Sequence, residues 1–214
     1  MSTLNRFRAA RGRVLAAQIG ALAARLGRPV DVLDVGGRTA YWGNVGFAGI
    51  ARITVMNLDP EELDPAPPGA PEGIFTTRTG DARNLADIAD GSVDLVHANS
   101  VIEHVGPWPD MAAMAREMRR VGRAGWIQTP AWEFPIEPHY RAPFLHWFGQ
   151  PMRRRMLALS RAYGHMGVAE RRYHIDRINL LSRAEVEALF PGCEIWVERM
   201  ILAKSYTARW MPGE

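Results

Sequence analysis

The sequence predicts an α/β fold, an open and mostly parallel sheet with helices on both faces, and three observations predict it. The apolar run Val30-Asp31-Val32-Leu33-Asp34-Val35 leads straight into Gly36-Gly37, the pattern of a buried parallel strand that turns tightly at its carboxyl end. Three further strand-like runs follow, and each finishes in polar residues: Leu58-Asp59, Gly80-Asp81 and Asn99-Ser100. Helical spacing and turn signals occupy the intervals. Open sheets of this kind bind ligands outside the carboxyl ends of their strands, so these polar ends mark the candidate site.

The 214 residues suffice for one sizeable core, and a single domain over 1–214 is expected. Apolar content of 47% against 23% charged excludes a disordered chain. The formal net charge of +3 and pI of about 9.4 come from a dispersed arginine surplus, which reads as solubility rather than as an anionic partner. Cys193 is the one cysteine, so neither an internal disulfide nor a cysteine-based zinc site is available. No run is long enough to span a membrane, and the arginine-rich start lacks the apolar core of a signal peptide. A soluble, cytoplasmic protein is expected, with its oligomeric state open.

Residues 4–26 read as an amphipathic helix: Leu15, Ile19, Leu22 and Leu26 recur at helical spacing before Gly27 and Pro29. Packing on the sheet edge is expected of it. A short helix near 41–48 is expected next, then a second strand, Arg52 to Leu58, ending at Asp59. A carboxylate there accepts the two hydroxyls of a ribose, or else starts the turn before Pro60. Residues 60–73, rich in Pro, Gly and Glu, form a surface loop. Strand three runs from Ile74 to Thr79 and opens into Gly80-Asp81-Ala82, where Asp81 accepts from an amino group or caps the following turn. Strand four, Ser92 to Ala98, ends in Asn99-Ser100-Val101-Ile102-Glu103-His104. Its Glu-His pair sets an acid beside an imidazole, for base catalysis or for holding the loop.

A helix over 107–122 carries Met111, Met114 and Met118 on related turns, a core stripe. Strand five covers Ala124 to Thr129. Residues 131–178 then mix aromatics, prolines and histidines with an arginine-rich helix at 152–163 and a glycine-containing turn to about 175. They read as an insertion that covers the site and contacts substrate. Ser182 and Glu185 form a capping box, so the last main helix starts there. Glu194–Arg199 and Ile201–Thr207 suit an antiparallel pair at one sheet edge.

Together, Asp34-Val35-Gly36-Gly37, Leu58-Asp59, Gly80-Asp81-Ala82 and Ala98-Asn99-Ser100-Val101-Ile102-Glu103-His104-Val105 resemble the class I S-adenosylmethionine-dependent methyltransferases, type 11 group. The resemblance covers roughly residues 28–207. It implies a Rossmann-like sheet of seven strands, mostly parallel, with an antiparallel last strand and helices on both faces. It implies S-adenosylmethionine as cofactor, with Asp34, Gly36 and Gly37 at its methionine end. Asp59 then holds the ribose, Asp81 and Ala82 bracket the adenine, and Asn99 lies near the sulfonium. The chain departs from the family's glycine-rich loop at Arg38 and Ala40. Some relatives use an acidic residue as part of a metal site where this chain has Ser100, so no metal is expected.

The expected activity is O-methylation of a small molecule's hydroxyl. The acceptor must lose a proton, and His104, His139 and Glu137 are the candidate groups for taking it or for orienting the one that does. No long basic stripe with interleaved aromatics suggests nucleic acid. A methyltransferase fold without turnover, kept as a binding module, is the alternative, and Arg38 and Ala40 sustain it. A nicotinamide-dependent enzyme ranks last, because the three-glycine phosphate fingerprint is incomplete.

Overall fold

The computed structural model of the chain describes residues 3–59, 65–137, 142–159 and 163–213. The expected sheet is present. Seven strands stand in the order β3-β2-β1-β4-β5-β9-β8: β1 (Val30–Val35), β2 (Ile50–Asn57), β3 (Phe75–Thr79), β4 (Val93–Asn99), β5 (Gly122–Pro130), β8 (Glu194–Arg199) and β9 (Ala203–Trp210). The first five are parallel, and β9 runs antiparallel to both β5 and β8. The chain order reverses beside β1, where β4 continues the sheet in the other direction. That is the switch point at which open α/β sheets bind ligands.

Two apolar layers hold the sheet. On one face α1 (Thr3–Leu26) buries Leu15, Ile19 and Leu22 against Val32, Leu95, Ala124 and Trp126. Helix α1 therefore lies across the middle of the sheet rather than along its edge. The Gln18 amide fixes it there by donating to the carbonyls of Gly125 (3.1 Å) and Trp210 (3.3 Å). Gly27 ends the helix at φ +68, the left-handed geometry a helix stop favours. Arg28 then pairs with the buried carboxylate of Asp94 at 2.7 and 2.9 Å, tying the entry of β1 to that of β4. On the other face α3 (Trp108–Val121) and α6 (Arg183–Leu189) cover Leu33, Val35, Val96 and Ile127. The Met111, Met114 and Met118 stripe is core, and the Ser182–Glu185 capping box starts α6. Between β1 and β2 the helix shrinks to α2 (Thr39–Trp42), one turn long.

The closing strand pair differs from its expected span. Ile201 is exposed and forms the turn, so β9 begins at Ala203 and extends to Trp210. The apolar residues Ile201 and Leu202 disguise that turn in the sequence. The longer β9 carries Trp210 onto β5, where Gly125 makes room: a Cβ at Gly125 would lie 2.0 Å from the indole. Gly125→Ala is therefore expected to destabilise the protein by about 2 kcal/mol or more through overpacking, read as a lower midpoint in urea unfolding.

Residues 131–178 contain β6 (Ile136–Glu137) and β7 (Ala142–Pro143), an antiparallel pair, then a 3₁₀ turn at Leu145–Trp147, α4 (Gln150–Ala158) and α5 (Val168–Asp176). A helix stands where the glycine-containing turn was expected. Helix α5 buries Ile175 alone, so no apolar periodicity announces it. Leu145, Leu157 and Ile175 form a small core of their own.

Candidate active site

A cleft of about 380 Å³ opens at the carboxyl ends of β1 and β4. Its floor is the Gly36-Gly37 turn. Gly36 sits at φ +64, and a Cβ there would meet the Val101 side chain at 2.7 Å. A Cβ on Gly37 would fall 1.9 Å from Asp34 Oδ2. Both glycines are thus required for close packing, Gly36 for its backbone angle as well. Asn57 Nδ2 donates to the Gly37 carbonyl at 3.1 Å and pins the turn to the end of β2. Arg38 and Ala40, the two departures in this loop, are accommodated. Arg38 is extended (φ −128, ψ 132), a conformation open to any residue, and Ala40 lies within α2.

Asp34 is fully buried beneath the turn. Its Oδ2 accepts from Trp42 Nε1 at 2.8 Å, and its Oδ1 lies 2.6 Å from His97 Nδ1. The strand register brings the pair together, for Asp34 of β1 stands opposite His97 of β4. The imidazole is 1% exposed and is flanked by the Tyr41 and Trp42 rings at 4.9 and 5.1 Å. Burial pushes the Tyr41 phenol well above its usual range, so it stays neutral.

Helix α1 closes the cleft with Arg8 and Arg11. Arg11 is buried and joins three strands. Its Nη1 donates to Asn99 Oδ1 and Gln128 Oε1, both at 2.9 Å, and its Nη2 to Glu198 Oε2 at 3.0 Å. The same Glu198 oxygen accepts from Lys204 Nζ (2.8 Å) and Ser205 Oγ (3.2 Å). Burial works to raise the Glu198 carboxyl, but the Arg11 and Lys204 charges outweigh it, so the group titrates below the usual carboxylate range.

Of the residues selected from sequence, Asp34, Gly36, Gly37 and Asn99 line this cleft. Asp59 is exposed just past β2 and does not line it. Asp81 lies beyond β3 with its carboxylate gripped by Arg83, from Nη2 at 2.7 Å and Nε at 3.0 and 3.1 Å. The Arg83 hydrogen bond leads the influences that hold this carboxyl below its usual range. Arg83 also reaches Asp110 at 3.2 Å. Ala82 is packed into the core. The Glu103-His104 pair divides: Glu103 is buried and accepts from Thr129 Oγ1 at 2.9 Å, while His104 is half-buried in a 3₁₀ turn. His139 and the side chain of Glu137 lie outside the described residues.

Arg8, Arg11, Tyr41 and His97 line the cleft without having been selected. Two of them carry a signal. Arg11 precedes Leu15, Gln18 and Leu22 at helical spacing, so it shares their buried face. His97 interrupts an otherwise apolar buried strand, Leu95-Val96-His97-Ala98. Under the insertion, a second hollow of about 240 Å³ is walled by Trp108, Met111, Trp132, His146 and Leu181 among others.

Comparison with known proteins agrees with this geometry. Residues 33–127, from within β1 to within β5, match the family model described as a methyltransferase domain. A protein of Mycobacteroides abscessus named an uncharacterized methyltransferase is 33% identical over 141 residues, 63% of this chain and 51% of that protein. One of Mycobacterium ulcerans with the same description is 35% identical over 139 residues, again 63% and 51%. The chain spans about half the length of these curated relatives. Among solved structures, a Pyrococcus horikoshii OT3 protein superposes with a TM-score of 0.57 at 17% identity, covering 95% of this chain and 91% of that one.

Proposed function

We propose that the chain, with residues 33–127 forming a class I methyltransferase domain of the type 11 group, binds S-adenosylmethionine at the ends of β1 and β4 and methylates a hydroxyl of a small molecule. The observation that carries this reading is the cleft itself: a glycine turn without room for a Cβ, set at the switch point and rimmed by cations from α1. The donor set suits an amino-acid end, because Arg8 offers a carboxylate a partner where a phosphate-cradling glycine loop is lacking.

When bound, the cofactor supplies a methyl group on a positively charged sulfur, ready for in-line attack. Gly36 and Gly37 let the backbone approach it. Asp34 holds the turn from beneath through Trp42 and His97. Asn99, held by Arg11, borders the reacting end. Asp59 is assigned to the ribose, and Asp81 with Ala82 to the adenine. For Asp81 this means sharing its carboxylate with Arg83, or yielding the contact to its backbone.

The acceptor enters beneath residues 131–178, against Trp108 and Trp132. These rings favour a moderately apolar molecule that carries the hydroxyl. His104, Glu137 and His139 are assigned to receiving or steering the proton it releases. Calorimetric titration with S-adenosylmethionine tests the core of this reading, and saturable binding is expected. Absence of heat at millimolar cofactor would favour a fold kept for binding something else. A tritiated-methyl transfer assay over phenols, sugars and hydroxy acids then tests the acceptor class.

A further inference from the structure

We infer that His97 recognises the α-ammonium group of the cofactor's amino-acid end, an inference that rests on the S-adenosylmethionine reading above. Trp42 Nε1 can only donate, so it requires an acceptor at Asp34 Oδ2. Where Asp34 accepts from both neighbours, the Nδ1 proton of a singly protonated imidazole points to Oδ1 and the lone pair stands on Nε2. That nitrogen is buried and has no hydrogen-bond partner among the described residues, and His97 is one of the residues that line the cleft. The hydroxyl of Tyr41, whose ring packs on His97, is also buried and has no hydrogen-bond partner among the described residues. Two such groups at one cleft mark a place where a polar ligand completes the hydrogen bonding.

The charges select which ligand group it is. Arg8 and Arg11 are cations at the same cleft, and the Asp34 carboxylate is consumed by Trp42 and His97. Asn99 Oδ1 is consumed by Arg11. Asn44 and Ser100 also line the cleft, but the His97 nitrogen is the buried acceptor without a partner among the described residues, so the ammonium is assigned to it and the carboxylate on the same carbon to Arg8. The cleft reads both charges of a zwitterion, the inner by an imidazole nitrogen and the outer by a guanidinium.

The test uses wild-type protein carrying isotopically labelled histidine, titrated in an NMR spectrometer. The unreactive product S-adenosylhomocysteine keeps the amino-acid end, and methylthioadenosine lacks it. The His97 Nε2 resonance is expected to start at the position of an unprotonated nitrogen, to move with the first compound, and to stay in place with the second. In calorimetry, His97→Phe and His97→Gln are expected to weaken S-adenosylhomocysteine about ten- to a hundredfold while leaving methylthioadenosine unchanged. Equal movement of His97 with both compounds, or variants that keep wild-type affinity, would overturn the inference and leave an ordered water as the partner of Nε2. Wild-type protein that binds neither compound would overturn the cofactor reading, and the role of His97 with it. The NMR arm requires no variant to fold.

Discussion

Asp34→Ala is expected to lower stability by about 3 kcal/mol and to abolish measurable cofactor binding. The carboxylate is fully buried and answers two groups at once, the Trp42 indole and the His97 imidazole. Removing one member of a buried, hydrogen-bonded set strands the others without water to replace it. The void also opens beneath Gly37, whose backbone is packed onto that carboxylate. Asp34→Asn separates the two effects. Its amide oxygen still accepts from Trp42, so most of the stability is kept. Its NH₂ group then faces His97 Nδ1 and forces the imidazole into the opposite tautomer, with a proton on Nε2. Loss of cofactor affinity with a near-normal melting temperature is the expected result, read by calorimetry beside thermal unfolding. Wild-type affinity in Asp34→Asn would show that the tautomer is irrelevant to the cleft.

The second large effect is expected at Arg11. Arg11→Met removes the cation that joins Asn99, Gln128 and Glu198, leaving the half-buried Asn99 and buried Gln128 amide oxygens and the buried Glu198 carboxylate each short of a donor. A cost of about 3 kcal/mol is expected in urea unfolding. Adding Glu198→Gln to it is expected to recover part of that loss, since the uncompensated charge goes. The acid dependence carries the same signature. Glu198 titrates below the usual carboxylate range, so its contribution is complete above the pH at which the unfolded group titrates. The contribution is lost as pH falls through the lower, folded value, because the unfolded chain then takes up the proton first. In Arg11→Met this acid-sensitive component of the unfolding free energy is expected to shrink. An unchanged pH profile would place the Glu198 stabilisation on Lys204 alone.

Much of the fold was legible because its signals are local and repeated. The β1 run with its glycines, the methionine stripe of α3 and the capping box of α6 each follow from spacing within a few residues. Helix α5 was not legible, because a helix that buries one side chain has no stripe. The expected edge position of α1 failed for a different reason: periodicity shows that a helix has an apolar face, not which part of a sheet receives it. The lining of the cleft was legible where motif and backbone geometry coincide, at Asp34, Gly36, Gly37 and Asn99. It was hidden where partners are distant in sequence. Nothing near Asp81 states that Arg83 will turn back onto its carboxylate instead of pointing to solvent. His97 acquires its meaning from Asp34, 63 positions earlier, through strand register alone.

The Arg11–Glu198 contact joins positions 187 apart, and a growing chain therefore cannot complete the site until β8 has been made. A nascent polypeptide halted before β8 has the glycine turn, β4 and even the insertion in hand. It still lacks the anion that seats the first helix over the cleft. Contacts of such long range are costly to close early, so competence to hold a ligand waits until β8 has been made.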